Sequence, residues 1–306
     1  MNFADRLQAA IERCGNPCLV GLDPHLDLLP PEYAAARDVT LPRAERARLL
    51  ARFCREVVEL AAGRVPAVKP QSAFFEVLGA DGAHAWEQVV RTARQAGLLV
   101  IGDVKRGDIS TTAAAYATAF LEGTSESDRD SLCDAVTLNP FLGSDSIEPF
   151  LDTCARTGTG LYILVRTSNK GSADFQRHGL PELSHLVADK VTQWGSRLVG
   201  ASGWSSVGAV VGATHGHELR DFRARMPRTP LLLPGYGAQG ASARDVVGAF
   251  GRTSAGAPCG ALVNSSRGIT FAWREKAHQG KPWKDATRDA LTHMIDELSS
   301  ALSATC

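Results

Sequence analysis

The sequence has no surplus of either charge: 33 Lys and Arg face 33 Asp and Glu across 306 residues. A chain that grips nucleic acid through its phosphates needs a basic excess to displace counterions. A general nucleic-acid binder is therefore excluded, whereas a small positive pocket is not. No apolar run approaches the ~18 residues of a membrane span, so no membrane partner is expected. The first residues carry an early Asp5 and place Phe3, Leu7 and Ile11 at helical spacing, unlike the apolar core of a signal peptide. Seven cysteines contain no C-x-x-C pair. An odd count without a leader reads as reduced thiols in a cytoplasm, not as a disulfide or structural-metal framework. Cys14 and Cys18 read as packing residues. What remains is an ordinary soluble composition, 44% hydrophobic and 22% charged, at a length that one α/β barrel can fill.

Strand and helix signals then alternate. Short apolar runs fall at Cys18–Leu22, Val65–Val68, Leu98–Asp103, Asp134–Leu138, Leu161–Val165, Val207–Gly212, Leu231–Leu233 and Gly260–Val263. None alternates strongly with polar residues, which predicts strands covered on both faces, as in a parallel sheet. Between them lie helical patterns. In Arg46–Ala61, Leu50, Phe53, Cys54, Val57 and Val58 share one face, and Gly63 follows as a stop. Asp81–Ala96 stops at Gly97, and Ser144 is placed to cap a helix ending before Gly158. Further helices are expected near 181–199, 215–226, 240–250 and 284–302. Eight strands interleaved with helices predict a single-domain (β/α)8 TIM barrel over 1–306. Residues 26–42 read as a polar surface insertion, and 268–306 as a loop followed by a C-terminal helix.

The most informative segment is LLVIGDVKRGDIS, Leu98 to Ser110. A buried strand ends in Asp103-Val104-Lys105, and alternation puts Asp103 and Lys105 on one face. Two other strands end in charge, at Asp23 and Lys69. The second and third strands are sequential, so Lys69 is expected beside Asp103, giving a Lys–Asp–Lys–Asp array that Asp108 completes. In a barrel the C-terminal strand ends carry the chemistry. Opposite charges in a poorly solvated mouth keep each other ionised. Lys105 is then a proton donor for a nascent carbanion, and Asp103 a carboxylate that repels a second carboxylate placed against it. A structural ion-pair network is the plainer reading of such a string by itself. Its place at three neighbouring strand ends favours catalysis.

Near the other end, Gly235-Tyr236-Gly237-Ala238-Gln239-Gly240 spells the dinucleotide fingerprint between a strand and a helix. The next strand ends in Asn264-Ser265-Ser266-Arg267, with no acid to meet a ribose 2′-OH, and only one strand remains to build a nucleotide-binding half. The loops after strands seven and eight of a barrel form a common phosphate site instead. Exposed backbone N–H groups and the Arg267 guanidinium suit a phosphate monoester. His215-Gly216-His217-Glu218 contains a pair that ligates zinc in some barrels, but no second cluster completes a ligand set, and a structural role is expected.

Taken together, GLDPH around Asp23, VKPQSAFFE from Lys69, DVKRGDIS, LVRTSNKGS, PGYGAQG and SSRGI at Arg267 resemble the orotidine 5′-phosphate decarboxylase family in its longer form. The resemblance spans most of the chain. It implies a cytoplasmic barrel homodimer, with no cofactor and no metal, that converts orotidine 5′-phosphate to UMP and CO2 in pyrimidine biosynthesis through a C6 carbanion protonated by Lys105. It implies that Asp103 lies against the substrate carboxylate, and that Lys69 and Asp23 hold the ribose and order the charges. Asp108 and Thr112, with Ile109 beside them, would reach into the partner's site. Ser168 would contact the pyrimidine. Gln239 and Arg267 would bind the phosphate, helped by backbone around Gly237 and Ser266. The chain departs from the family in HGHEL after strand six and in its long insertions. Two other readings stand beside this one. A metal-dependent sugar-phosphate decarboxylase or synthase on the same barrel would need an acidic ligand where Lys69 stands. A non-catalytic phosphate-binding protein would have no use for Lys105 and Asp103.

Overall fold

The computed structural model describes residues 1–237, 240–253 and 257–304. Parallel strands β1 (Cys18–Leu22), β2 (Ala67–Pro70), β3 (Leu99–Arg106), β4 (Ala135–Leu138), β5 (Gly160–Arg166), β6 (Val207–Val211) and β7 (Leu231–Leu233) follow one another around a ring. A short antiparallel ribbon, β8 (Gly251–Arg252) with β9 (Pro258–Cys259), precedes β10 (Ala261–Ser265). β10 lies between β7 and β1 and closes the barrel, with Cys18 registered on Val263. This is the (β/α)8 barrel that the alternating pattern predicts.

Two apolar clusters explain the closure. Leu19, Ala67, Ile101, Ala135, Tyr162, Val210, Leu232 and Leu262 fill the barrel interior, and Phe3, Leu7 and Ile11 plug its N-terminal end. Those three come from α1 (Phe3–Cys14), which Asn2 caps by accepting from the Asp5 N–H at 3.0 Å. The alternate residues Val20, Val68, Val100, Val136, Ile163, Val211, Leu233 and Val263 face the surrounding helices. Both faces are therefore buried, which is why the strands read as continuous apolar runs.

The helical layer comprises α2 (Arg43–Ala61), α3 (Ala73–Glu76), α4 (Gly79–Gln95), α5 (Ser110–Ala117), α6 (Glu148–Thr157), α7 (Leu183–Gly195), α8 (Leu219–Arg225), α9 (Ala243–Val246), α10 (Arg267–Thr270) and α11 (Trp283–Ser303). Among the described residues no helix is long and apolar enough to cross a membrane.

Several expected boundaries shift. β2 starts two residues later than the apolar run and takes in Lys69 and Pro70, while β3 runs on through Lys105 to Arg106. α5 has no counterpart in the sequence pattern, because STTAAAYA offers no apolar stripe: Ala114 and Ala115 are exposed beside buried Ala113. Ser144 does not cap α6. It opens a 3-10 turn, and its Oγ accepts from Trp194 Nε1 at 3.3 Å. The 26–42 insertion, expected as a polar surface segment, folds into two 3-10 turns. Its turns bury Leu29, Tyr33 and Ala36, with Tyr33 edge-on to Phe53 and Trp283, so three apolar residues staple it over α2 and α11. The stretch 268–283 likewise folds into α10 and two 3-10 turns, and buries Ile269 and Phe271.

Candidate active site

The inward register of the strands sets the site. Two residues beyond each interior apolar residue, the same face carries Lys69 after Ala67, Asp103 after Ile101, Thr137 after Ala135 and Asn264 after Leu262. Asp23 stands four beyond Leu19, with Gly21 between. All five line one cavity of about 480 Å3 at the C-terminal mouth, together with Lys105, Ser168, Gly235, Tyr236, Ser266 and Arg267. Gly21 is there for space: a Cβ would sit 1.8 Å from Ser266 Oγ. A larger hollow of about 720 Å3 lies on the flank, between Trp86 and Phe120, and includes none of Lys69, Asp103 or Lys105. The charged strand ends therefore gather at the smaller cavity.

Asp103 is the centre of the site. Lys69 Nζ donates to its Oδ2 at 2.6 Å and Gln71 Nε2 to the same oxygen at 3.0 Å. Lys105 Nζ donates to Oδ1 at 2.6 Å, and Thr137 Oγ1 to Oδ1 at 2.9 Å. Both oxygens are thus doubly satisfied. Burial alone would push this carboxyl up, but the adjacent Lys69 and Lys105 cations outweigh it and hold Asp103 well below the usual carboxylate range. Lys69 is governed by the same balance. Burial favours its neutral amine, yet Asp103 and Asp23 win and raise it above an ordinary lysine. Asp103 is thus a fixed carboxylate and Lys69 a fixed ammonium. Lys105 is different in exposure: 47% of its side chain meets solvent, against 6% for Lys69.

Among the described residues, two oxygens of the cavity lining, Asp23 Oδ1 and Asn264 Oδ1, are buried without a hydrogen-bond partner. Both are acceptors, so the cavity is built to receive hydroxyl or N–H donors. Arg267, exposed at the start of α10, and Ser266 line the cavity where β10 ends. Gly237 takes a φ of 69° and its N–H donates to the Ala241 carbonyl. Gln239 lies outside the described residues.

The structure does not gather every expected residue. Asp108, Ile109 and Thr112 lie outside the cavity lining. Asp108 Oδ1 accepts from the Ile109 N–H at 2.8 Å, and Ile109 is 48% exposed. Within one chain the array is therefore Lys69–Asp103–Lys105, without its fourth member. The HGHE segment is structural: His215 Nε2 faces the Thr167 carbonyl at 3.0 Å, and Glu218 pairs with buried Arg166. Among the described residues no group of three His, Cys, Asp or Glu side chains could hold a metal ion. Sequence reasoning missed Gln71, Thr137 and Asn264. The available signal was spacing, because each follows an inward-facing residue by two.

A family model described as "Orotidine 5′-phosphate decarboxylase / HUMPS family" matches residues 19–279. The chain is similar to a Rhodopirellula baltica protein named orotidine 5′-phosphate decarboxylase, at 44% identity over 97% of this chain and 99% of that one. A Deinococcus radiodurans protein of the same name is 42% identical over 92% of each chain. Among solved structures, that of Leishmania donovani OMP decarboxylase is 31% identical, covers 99% of both chains and superposes with a TM-score of 0.73.

Proposed function

The chain belongs to the orotidine 5′-phosphate decarboxylase / HUMPS family, and on that premise we propose that it is a carboxy-lyase converting orotidine 5′-phosphate to UMP and CO2 in pyrimidine biosynthesis. One observation carries the choice within the family: Asp103 is held as a carboxylate between two lysines. A metal-dependent relative needs an acidic ligand on β2, and Lys69 occupies that place.

The reaction breaks the bond between C6 and the carboxylate carbon. The electron pair stays on C6, CO2 leaves, and a proton must arrive at C6. Asp103 has no proton to give, because its neighbours keep it ionised. Its charge acts instead against the substrate carboxylate, a repulsion that vanishes as CO2 forms. Lys105 Nζ, 2.6 Å from Asp103 Oδ1, supplies the proton and is recharged from solvent, which its exposure permits. Before that transfer its positive charge lies beside the growing carbanion. Charges fixed in advance of the reaction need no reorganisation during it.

The remaining contacts follow the cavity. Lys69 and the unpartnered Asp23 Oδ1 face the ribose, and Ser168 faces the pyrimidine. Arg267, with Gln239 and backbone near Gly237 and Ser266, grips the phosphate, whose remote binding energy stabilises the closed, desolvated site. The cations here are lysines, so the proposed chemistry needs neither metal nor cofactor.

Asp108, Ile109 and Thr112 fit a site shared between two copies in the cytoplasm. Ile109 is exposed, as are Phe141 and Leu142 on the next loop, which Asn139 brings against Gly107. Such an apolar rim beside an incomplete charge array is suited to a second subunit of this chain.

The test is ultraviolet absorbance on adding orotidine 5′-phosphate with EDTA present. Conversion to UMP is the expected result. Activity lost on chelation and restored by Mg2+ or Zn2+ would move the chain to the metal-dependent sugar-phosphate decarboxylases and synthases. Binding of phosphate esters without turnover would leave a non-catalytic protein.

A further inference from the structure

At the barrel mouth three residues of β3 face one residue of β4. Gly102 registers on Val136 and Arg106 on Leu138, so Asp103, Val104 and Lys105 all lie opposite Thr137. Extra residues of this kind make a bulge, which re-aims side chains beside active sites. Lys105 absorbs the bulge with a φ of 44°, in the left-handed region that residues with a Cβ seldom adopt. There its N–H donates not to a strand carbonyl but to Thr137 Oγ1, at 3.0 Å. The same hydroxyl donates its own hydrogen to Asp103 Oδ1 at 2.9 Å. Lys105 Nζ converges on that oxygen at 2.6 Å. One buried hydroxyl thus ties the backbone of the lysine to the carboxylate that its side chain faces. Thr137 is 1% exposed, so it cannot swing away to water.

A hydroxyl suits this position because it accepts and donates at once. An isosteric Val does neither. It leaves the Lys105 N–H without its partner and takes one of four donors from Asp103. A Ser keeps both bonds and loses only a methyl group.

We propose that Thr137 is a positioning residue for the decarboxylation: it fixes Lys105 in its bulged conformation and orients the Asp103 carboxylate, so that ammonium and carboxylate flank the reacting carbon together. The proposal deepens the decarboxylase reading and rests on it. Thr137 touches no reacting atom in this role, so its loss should slow the chemical step and spare product binding.

The experiment measures turnover of orotidine 5′-phosphate and affinity for UMP in wild type, Thr137→Val and Thr137→Ser. Wild type comes first. No turnover there overturns the decarboxylase reading and the proposal with it. With wild-type turnover in hand, only the proposal is at stake. Thr137→Val should lower kcat on the order of a hundredfold, the cost of a small misplacement of catalytic groups. UMP affinity should stay within about threefold, and Thr137→Ser should restore kcat to within about threefold of wild type. A kcat for Thr137→Val close to wild type would overturn the positioning role. So would equal losses in kcat and UMP affinity, or a Ser variant as impaired as Val. Should Thr137→Val not fold, Thr137→Ala, which adds no bulk, replaces it in the comparison with Ser.

Discussion

The Lys69 ammonium meets the Asp103 carboxylate at 2.6 Å with both side chains buried, 6% and 8% exposed. They come from adjacent parallel strands and share the inward face because each follows an interior apolar residue, Ala67 or Ile101, by two. Removing one partner of such a pair strands a charge in a poorly solvated place.

Asp103→Asn is therefore expected to destabilise the fold by about 3–5 kcal/mol near pH 7. The sign with pH follows from the two directions. Asp103 is depressed on folding, so its contribution is present above the unfolded value of ~3.9 and fades as pH falls through the folded one. Lys69 is raised, so its contribution is complete below ~10.4 and fades as pH rises through its folded value. Urea unfolding at several pH values should show the largest gap between wild type and Asp103→Asn across the middle of this window. The gap should close in acid, where wild type itself loses the pair. Equal midpoints at pH 7 would mean that the pair adds no net stability.

Lys105→Ala should abolish turnover while UMP still binds, because Arg267 and the Lys69–Asp103 pair remain. Only the proposed proton donor and its charge are gone. Turnover within about tenfold of wild type, a difference of only ~1.4 kcal/mol in barrier, would remove Lys105 from the mechanism. Isothermal titration with UMP beside the absorbance assay separates a lost step from a lost fold.

Arg267→Ala tests the phosphate end. If the grip stabilises the closed site, it contributes several kcal/mol to the transition state, and each ~1.36 kcal/mol is tenfold in rate. The variant should lose several powers of ten in kcat/KM. Free phosphite should partly rescue wild-type turnover of an orotidine lacking its phosphate. Equal rates for the two substrates without rescue would remove the grip.

Much of this fold was legible because a parallel barrel buries both strand faces, so that Val20, Val68, Val100 and Val136 announce their strands with little ambiguity. Lys69, Asp103 and Lys105 were legible for the opposite reason: a charge that ends a buried strand has few structural excuses. Thr137 and Asn264 are neutral and common, and only their register marks them. α5 was hidden because its Ala residues look alike on both faces. The turns within the 26–42 insertion were not legible because Leu29, Tyr33 and Ala36 are spread among prolines and acids, and their burial depends on Phe53 and Trp283 from distant segments.

The last prediction concerns Asp108, the member of the array that the chain does not bring to its own cavity. After Lys105 the backbone passes Gly107, and the Asp108 carboxylate turns to the Ile109 N–H at the exposed entry to α5. From there it reaches outward more readily than back over Lys105. The decisive experiment mixes two inactive variants, Lys105→Ala and Asp108→Asn, and lets their subunits exchange. Suppose Asp108 serves the neighbouring barrel. Each hybrid dimer then has one site carrying both lesions and one carrying neither. Random exchange makes half of the dimers hybrid with half of their sites intact, so about a quarter of wild-type activity should appear, provided that each lesion alone silences its site. Suppose instead that Asp108 serves its own barrel. Every site then retains one lesion whatever the pairing, mixing recovers nothing, and the shared site is ruled out. Sedimentation of the mixture shows whether dimers form and exchange at all. A monomer at assay concentration that is fully active would also end the case for Asp108 acting across an interface, because a catalytic group cannot be borrowed from a neighbour that is not there.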